Sequence, residues 1–225
     1  MPQAKFLGHS CVAASDGDFK LIIDPFLTNN PQATVKAEDI EVGWVLVTHG
    51  HGDHVGDAIS IAKRNNATII ANFELASMCA KEGVNIHPMH IGGRFDFDFG
   101  WVKLTIAHHG GGHGDDASRY TGPPVGFLVN IGGKTLYHPG DTGLFYDMKL
   151  IGEMNAIDLA FLPIGDNFTM GVTDAAKAVE FLRPRKVVPF HYGTWPVIDG
   201  KPEDFQAKVK NSEVVILRPG ETVEF

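Results

Sequence analysis

The residues best suited to chemistry lie in one short segment, residues 47–54, which reads V-T-H-G-H-G-D-H. It carries four potential metal ligands within six positions, directly after an apolar run: His49, His51, Asp53 and His54. Imidazole and carboxylate groups are the protein ligands that suit zinc and related divalent metals. A solvated histidine-rich loop accounts for one or two such residues, but not for four at this density. The segment therefore predicts a metal site.

The spacing within this segment favours two ions. His49 and His51 are two residues apart, so in an extended segment their side chains point the same way. Asp53 and His54 are displaced along the following turn, where they would serve a neighbouring second metal. Two ions in a catalytic site need more than four protein ligands, so distant parts of the chain must supply partners.

Three further segments place His or Asp where an apolar run gives way to a glycine-containing loop. They read H-H-G-G-G-H-G at 108–114, Y-H-P-G-D-T at 137–142 and V-V-P-F-H-Y-G at 187–193. Loops at the ends of strands are where α/β proteins commonly carry chemistry. These segments are the candidates for the remaining ligands.

The elements that must position these residues alternate between strand and helix patterns. The I-G-G-K turn at 131–134 is a strong hairpin signal, and Gly83 is the expected C-cap of a helix. Strands are predicted over 4–13, 19–24, 44–48, 68–71, 94–99, 101–107, 125–131, 134–137, 158–163, 186–190 and 214–217, and helices over 57–66, 74–83, 174–182 and 203–210. Both halves mix strands with helices, which favours a layered α/β architecture of two sheets with helices on their outer faces. Because no linker separates the halves, we expect one domain over residues 1–225.

Composition narrows the functional class. The 225 residues include 44% hydrophobic and 20% charged residues, which is ordinary for a soluble protein, and the formal net charge is −8. An acidic chain is not expected to bind nucleic acid, which normally requires a basic patch. Apolar runs are too short to cross a membrane, and the start M-P-Q-A-K-F-L-G lacks a hydrophobic signal region. We expect a cytoplasmic protein with two buried thiols, Cys11 and Cys79, and no disulfide framework.

Taken together, these motifs resemble the metallo-β-lactamase superfamily. The resemblance rests on H-G-H-G-D-H, a strand-end histidine, G-D-T at 140–142 and a late strand-end histidine. Longer signatures, I-D-P-F-L-T, H-P-M-H-I-G-G, L-P-I-G-D-N-F-T-M-G and V-V-P-F-H-Y, narrow it to metal-dependent hydrolases akin to the L-ascorbate phosphate lactonases. The resemblance covers nearly the whole chain. It implies a four-layer αββα sandwich in a single hydrolase domain, 1–225.

The resemblance also implies a role for each candidate ligand. The first metal should be held by His49, His51 and one histidine of the 108–109 pair; the second should take Asp53, His54 and His191. Asp141 should bridge the two ions, and Asp141 and Asp53 are the candidate catalytic carboxylates. Strand parity leaves His108 and His109 open. The family pattern places the ligand directly before a small residue, and Gly110 follows His109, so we favour His109.

Supporting roles are assigned less directly. Asp24 would orient a ligand histidine, with a simple turn role before Pro25 as the alternative. His138 would either support the site or pack, and His9 is a neighbour of the site. His113 is expected to be solvated, with entry into the pocket as the alternative, and His87 and His90 are expected to be structural. The candidate substrate-pocket residues are Asn167, Phe168, Met170, Tyr192, Thr194 and Trp195.

The function implied is a dinuclear hydrolase that uses a metal-bridging hydroxide on a small-molecule ester, lactone or phosphorylated substrate. Zinc is the first choice of metal, with manganese or iron as alternatives. One alternative function is a phosphodiesterase or nuclease of the same fold; another is a metal-binding protein without catalysis. Redox di-iron relatives typically carry Glu at the position of His51 and need a flavin domain that these 225 residues lack. A homo-oligomer is compatible with the resemblance.

Overall fold

Strands dominate the computed structural model, which describes residues 1–114 and 116–225. In chain order the strands are β1 (Gln3–Gly8), β2 (Cys11–Asp16), β3 (Phe19–Ile23), β4 (Trp44–Leu46), β5 (Thr68–Asn72), β6 (Asn85–Met89), β7 (Arg94–Phe97), β8 (Gly100–Ile106), β9 (Gly112–His113), β10 (Arg119–Tyr120), β11 (Val125–Ile131), β12 (Lys134–His138), β13 (Leu159–Pro163), β14 (Lys186–Phe190), β15 (Glu213–Val214) and β16 (Thr222–Glu224). Two mixed sheets of seven strands take up all but β9 and β10, which form a separate hairpin.

The helices are short. They are α1 (Gly52–Val55), α2 (Ala58–Asn65), α3 (Phe73–Ala80), α4 (Met148–Met154), α5 (Val172–Leu182) and α6 (Pro202–Lys208), with a 3-10 turn at Ala37–Asp39. None of the helices described has the length and apolar character needed to span a bilayer.

The first sheet has the order β16-β1-β2-β3-β4-β5-β6, and the second has the order β15-β14-β13-β12-β11-β8-β7. Within the first sheet, β1, β3 and β4 run in one direction, because β2 is antiparallel to both β1 and β3, and β4 is parallel to β3. Within the second sheet, β8, β12 and β14 likewise share a direction. The loops after these six strands therefore leave each sheet at a common edge.

Alternation along the strands builds the layers. In β3, Leu21 and Ile23 face the core between the two sheets, whereas Ile22 faces α2 and α3 on the outer side. In β11, Phe127 faces the same central core, whereas Leu128 packs towards α4, α5 and α6. A strand with two apolar faces is what a sheet covered on both sides requires. The predicted α/β fold, two mixed sheets with helices on the outer faces in a four-layer αββα order, is confirmed.

Several predicted boundaries were wrong, each for a local reason. The strand predicted over 4–13 is broken by a turn at His9, whose φ of 55° is left-handed. The predicted strand 44–48 ends at Leu46. The helix predicted over 74–83 begins at Phe73, because the Asn72 side chain caps the Leu75 N–H, and it ends at Ala80 with Lys81 at the C-cap, three residues before the end we expected at Gly83.

The chain end differs from its prediction as well. Of the predicted strand 214–217, only Val214 lies in β15, although the Val215 N–H still bonds the Val187 carbonyl at 2.9 Å. Leu217 then turns into the central core, ahead of Pro219. The helix predicted over 203–210 ends at Lys208.

Candidate metal centre

The candidate ligands come from both sheets. In the first sheet, the turn after β1 carries His9, the residue after β3 is Asp24, and the segment after β4 carries residues 49–54. In the second sheet, the loops after β8, β12 and β14 carry His109, Asp141 and His191. Asp53 and His54 lie in the four-residue helix α1, not in an open turn. The fold thus brings together residues that are more than a hundred positions apart, at the edge where these loops of the two sheets meet.

His49, His51 and His109 form the first group. His51 Nδ1 lies 3.0 Å from His49 Nε2 and 3.3 Å from His109 Nε2. Three nitrogens bound to one tetrahedral ion at about 2.0–2.1 Å lie roughly 3.3–3.4 Å apart, so this spacing fits a shared metal. His108 is exposed and its ring stacks on Phe145 at 4.8 Å. The structure therefore brings His109, and not His108, to this group.

Asp141 lies between the two groups. Its Oδ2 atom is 3.0 Å from His191 Nε2, 3.3 Å from His54 Nε2 and 3.6 Å from His109 Nε2. Its side chain is only 3% exposed. One carboxylate faces imidazoles of both predicted metal groups, which is the placement that a bridging ligand requires.

The second group contains Asp53, His54 and His191, and also His9. The ligand atoms of these four residues all lie within 4.8 Å of one another. His9 Nε2 is 3.0 Å from Asp53 Oδ2, and His54 Nε2 is 3.8 Å from the same oxygen. Sequence reasoning placed His9 only as a neighbour. The sequence feature that could have indicated a larger role is His9 itself, a polar residue beside Gly8 within an otherwise apolar run.

The donor set fits a divalent metal. Within the part of the chain that the structure describes, His54 Nε2, His191 Nε2 and Asp141 Oδ1 are buried without a hydrogen-bond partner. The two imidazole nitrogens are close to Asp141 Oδ2, but they are not aligned for hydrogen bonds with it. An unsatisfied buried polar group costs about 1–3 kcal/mol. Metal coordination would satisfy the two imidazole nitrogens at once and would leave Asp141 Oδ1 open to a further partner.

Asp24 orients His54. Its Oδ2 atom lies 2.7 Å from His54 Nδ1 and accepts the Thr48 hydroxyl at 2.7 Å, and its Oδ1 atom accepts the Thr48 N–H at 2.8 Å. Since the carboxylate accepts, His54 carries its proton on Nδ1 and presents Nε2 to Asp141. Asp24, His9 and His191 all have left-handed φ angles of 48–55°. Non-glycine residues with this strained backbone conformation are concentrated at functional sites.

Other histidines serve the backbone. His138 Nε2 lies 2.9 Å from the Ser10 carbonyl, and its Nδ1 accepts the N–H of Gly140, the residue before Asp141. It therefore supports the loop of Asp141 and contacts no ligand through these bonds. His113 is half-buried and its Nδ1 lies 2.7 Å from the Gly50 carbonyl, so the expectation of a solvated ring was wrong. His87 packs on Phe95 at 4.2 Å, a structural role.

The electrostatics of the site couple carboxylates to imidazoles. Burial lowers the pKa of His54, but Asp141, Asp24 and Asp53 outweigh it and raise that pKa well above its usual value. Burial raises the pKa of Asp141, but His191 and His54 hold it well below the usual range. Burial also lowers the pKa of His9, to about 4 despite the Asp53 contact. Every ion pair found for Asp53 and Asp141 within the described residues is with histidine.

The predicted pocket residues divide into two sets. Thr194 Oγ1 lies 2.8 Å from His9 Nδ1, and the Trp195 ring lies 4.8 Å from the His9 ring. With Tyr192, Asp199 and Lys201 they line a cavity of about 420 Å³, which is connected to the ligands through the contact of Thr194 with His9. The Asn167 N–H donates to Asp166 Oδ1, and no hydrogen bond to a candidate ligand is found for Asn167 within the described residues. Met170 is buried in the outer core and was wrongly placed in the pocket, whereas Phe168 is 54% exposed.

Comparison with known proteins places the chain in a family. Residues 20–192 match the model of the beta-lactamase superfamily domain. A UPF0173 metal-dependent hydrolase of Bacillus licheniformis is 53% identical over 221 residues, which is 97% of both chains. Igni18, a metallo hydrolase from the hyperthermophilic archaeon Ignicoccus hospitalis, is 34% identical and superposes with a TM-score of 0.90, covering 100% of this chain and 99% of the other.

A more distant structure bears on the fold alone. The metallo-beta-lactamase fold protein YhfI from Bacillus subtilis is 14% identical and has a TM-score of 0.75, with 100% of both chains covered. The superfamily that the sequence motifs indicated is therefore confirmed. This chain belongs to the beta-lactamase superfamily and, within it, to the UPF0173 metal-dependent hydrolases.

Proposed function

We propose that this metal-dependent hydrolase binds two divalent ions and acts on a small-molecule ester, lactone or phosphorylated substrate. The observation that carries the proposal is the position of Asp141, whose Oδ2 atom lies 3.0–3.6 Å from imidazole nitrogens of both ligand groups. A carboxylate shared in this way suits a pair of ions better than a single one. When bound, two such ions supply a water of lowered pKa and polarise the electrophilic oxygen of the substrate.

The residues then have distinct tasks. The first ion is held by His49, His51 and His109, and the second by Asp53, His54 and His191, with Asp141 between them. Asp24 keeps the His54 proton on Nδ1, which leaves Nε2 free as a ligand atom. Thr48 holds Asp24 through two hydrogen bonds, so this orientation is set before any ion binds.

Proton transfer falls to the carboxylates. Asp141 Oδ1 is buried without a hydrogen-bond partner in the described residues, so it is free to accept the proton of the attacking water. The Asp53 side chain is 25% exposed and lies on the solvent side of the same group. Asp53 is ionised and accepts from His9, so it has no proton to donate; the proton taken up by Asp141 would return from Asp141 to the leaving group as its bond breaks.

The surroundings favour a small molecule. The formal net charge of −8 opposes binding of a polyanionic polymer. The cavity on the far side of Thr194 from His9 holds about 420 Å³ and combines Trp195 and Tyr192 with one lysine, Lys201, and one aspartate, Asp199. Aromatic walls suit the apolar part of an ester or lactone, and Lys201 suits a single phosphoryl or carboxylate group. Zinc is the metal we favour for this His and Asp ligation, with manganese and iron as the alternatives.

A substrate panel tests the proposal. The metal-loaded protein is assayed on lactones, phosphodiesters and phosphorylated esters, beside Asp141→Asn and a control, Asp98→Asn, whose exposed side chain lies before β8, at the end away from His109. We expect activity on one class, loss of about 10²-fold or more in Asp141→Asn because the bridging charge is gone, and no loss in Asp98→Asn. Inactivity on every class with two ions bound would contradict the proposal and favour a metal-binding protein without catalysis.

A further inference from the structure

His9 is buried between a candidate metal ligand and the wall of the substrate cavity. Its ring is fully shielded from solvent. Its Nε2 atom lies 3.0 Å from Asp53 Oδ2, and its Nδ1 atom lies 2.8 Å from the Thr194 hydroxyl. Both ring nitrogens are therefore engaged, one on the metal side and one on the cavity side.

The direction of these hydrogen bonds follows from the chemistry of the groups. An ionised carboxylate only accepts, so His9 Nε2 carries the proton that binds Asp53. In a neutral imidazole the other nitrogen is then an acceptor, so the Thr194 hydroxyl donates to His9 Nδ1. The Asp53 carboxylate thus fixes the His9 tautomer, and the Thr194 hydroxyl supports it by donating to the remaining nitrogen. Thr194, His9 and Asp53 therefore form one chain of hydrogen bonds, in which each donor points towards Asp53.

The backbone around His9 is held on both sides. The His9 N–H donates to Gln32 Oε1 at 2.8 Å, and the His9 carbonyl accepts the His191 N–H at 2.9 Å. Gln32 also donates through Nε2 to the Tyr192 carbonyl at 2.9 Å. The His9 ring packs between His191, at 4.1 Å, and Trp195, at 4.8 Å. The ring is thus fixed by protein contacts that need no bound ion.

We propose that His9 is a positioning residue of the second metal group, which holds the Asp53 carboxylate for its ion and ties it to the Thr194 and Trp195 wall of the cavity. This inference rests on the proposed function in requiring two ions, of which Asp53 binds the second. Outer partners of metal ligands fix the orientation of those ligands, and their loss typically lowers metal affinity by about 10–100-fold. His9 supplies such a partner from a turn remote in sequence from the ligand motif.

Two substitutions separate positioning from other roles. His9→Asn suits the left-handed φ of 55° but is too short to reach Asp53, whereas His9→Gln places an amide donor near the position of Nε2. We expect His9→Asn to weaken binding of the second zinc ion about 10–100-fold, with the first ion bound as before. We expect His9→Gln to recover most of that loss. His87→Asn, at a half-exposed histidine outside the site, controls for removal of an imidazole.

The measurement is zinc titration against a competing chelator, with native mass spectrometry to count ions per chain. No substrate is needed, so the result is independent of the hydrolase assay. Thr194→Val, which removes only the bond to Nδ1, provides a second variant and should weaken the second ion by a few-fold. Equal loss of both ions in His9→Asn and His9→Gln would indicate a general structural role and overturn the proposal.

The remaining outcomes are equally distinct. Equal weakening of the second ion alone in His9→Asn and His9→Gln would mean that His9 is itself a ligand, since a glutamine amide is a poor substitute for imidazole at zinc, and would overturn the positioning role. Unchanged binding of both ions in His9→Asn would show that Asp53 needs no support, and would overturn the inference alone. Binding of a single ion by the unsubstituted protein would instead overturn the two-metal proposal together with this inference.

Discussion

At the scale of single residues, the Asp24 carboxylate and the Thr48 hydroxyl decide which ring nitrogen of His54 and of His49 is left for a metal ion. Asp24 takes the Nδ1 side of His54 at 2.7 Å, so only Nε2 can bind an ion. His49 is arranged in the same way, with Nδ1 2.9 Å from the Thr48 hydroxyl and Nε2 in the first group. Thr48 thus contacts His49 of the first group directly, and it acts on His54 of the second group only through Asp24. The contacts of Asp24 and Thr48 therefore determine which nitrogens of His54 and His49 are available to a metal ion.

The first prediction concerns Asp24. In Asp24→Asn the amide can no longer accept from His54 and from both Thr48 donors, so His54 loses its fixed orientation. We expect affinity for the second ion to fall about 10–100-fold. Chelator competition measures it, with Asp18→Asn in the exposed turn after β2 as the control. Unchanged affinity would mean that Asp24 is only a turn residue before Pro25.

The second prediction concerns Asp158, which lies outside the site. Its carboxylate accepts the Thr135 N–H at 3.0 Å, Lys134 at 3.0 Å and Arg185 at 3.3 Å. Burial raises the pKa of Asp158, but these donors outweigh it and lower that pKa. A lowered folded pKa stabilises the protein above the unfolded value of about 3.9, and this stabilisation is lost as the pH falls through the folded value.

We therefore expect Asp158→Asn to lower the free energy of unfolding by about 1–2 kcal/mol at pH 7, in line with charge-assisted hydrogen bonds that are partly exposed. The difference from the unsubstituted protein should shrink below about pH 4, where the carboxyl group takes up a proton. Urea unfolding of both metal-free proteins at pH 7 and pH 3 measures it. A difference that stays constant with pH would show that the ionised state contributes nothing.

At the scale of elements, the sequence was most informative where short apolar runs are bounded by turn residues. β3, β8 and β11 were predicted from such runs, and α2 and α5 were predicted from their helical spacing. The turn at His9 was missed because residues 4–13 are apolar enough to pass for one strand. β6 was missed because it contains Pro88, which is tolerated there only because β6 is an edge strand.

In the site, too, some residues could be predicted from the sequence and others could not. The ligands at 49–54 were predictable because they are adjacent in sequence, and the distant ligands because each ends a strand. The role of His9 was not, because its partner Thr194 is 185 residues away. Gln32 was not predicted either; its contact with Tyr192 spans 160 residues. Such long-range contacts leave no periodic pattern in the sequence, so the supporting residues required the fold.

The third prediction concerns the loop that carries Asp141. Gly140 has a left-handed φ of 65°, and a Cβ atom there would lie 2.8 Å from the Thr48 Cβ. Gly133, in the β11–β12 turn, has a φ of 76° and open space around it. Gly133→Ala should therefore cost only the backbone strain, about 1–2 kcal/mol. Gly140→Ala adds a steric clash and should cost roughly 1–3 kcal/mol more.

Urea unfolding of the two metal-free variants measures that difference, and zinc titration shows whether Asp141 has moved. We expect weaker metal binding in Gly140→Ala and unchanged binding in Gly133→Ala. Equal stability and equal metal binding in the two variants would show that the Asp141 loop can shift away from Thr48 without cost.

At the scale of the whole molecule, the candidate metal centre joins the two sheets. The first sheet supplies His49, His51, Asp53 and His54, and the second supplies His109, Asp141 and His191. Elsewhere the sheets are held together by the central apolar core. At this edge they meet through imidazoles and carboxylates that lack hydrogen-bond partners at several atoms of the described residues. Bound metal would therefore link the layers where apolar packing is absent.

The fourth prediction follows from that position. A ligand that binds only the folded state stabilises it by RT ln(1 + [L]/Kd), which is about 2.7 kcal/mol for each site at 100 times Kd. For a chain of this size, that corresponds to a rise in the unfolding temperature of roughly 5–10 °C. We expect zinc to raise the midpoint, a chelator to reverse the rise, and Asp141→Asn to show a smaller rise because the link between the sheets is weakened. The control is Asp98→Asn, in which zinc should act as in the unsubstituted protein. Thermal unfolding followed by circular dichroism measures the unfolding midpoint in each case. An equal rise in Asp141→Asn would place the stabilising ion away from the junction of the sheets.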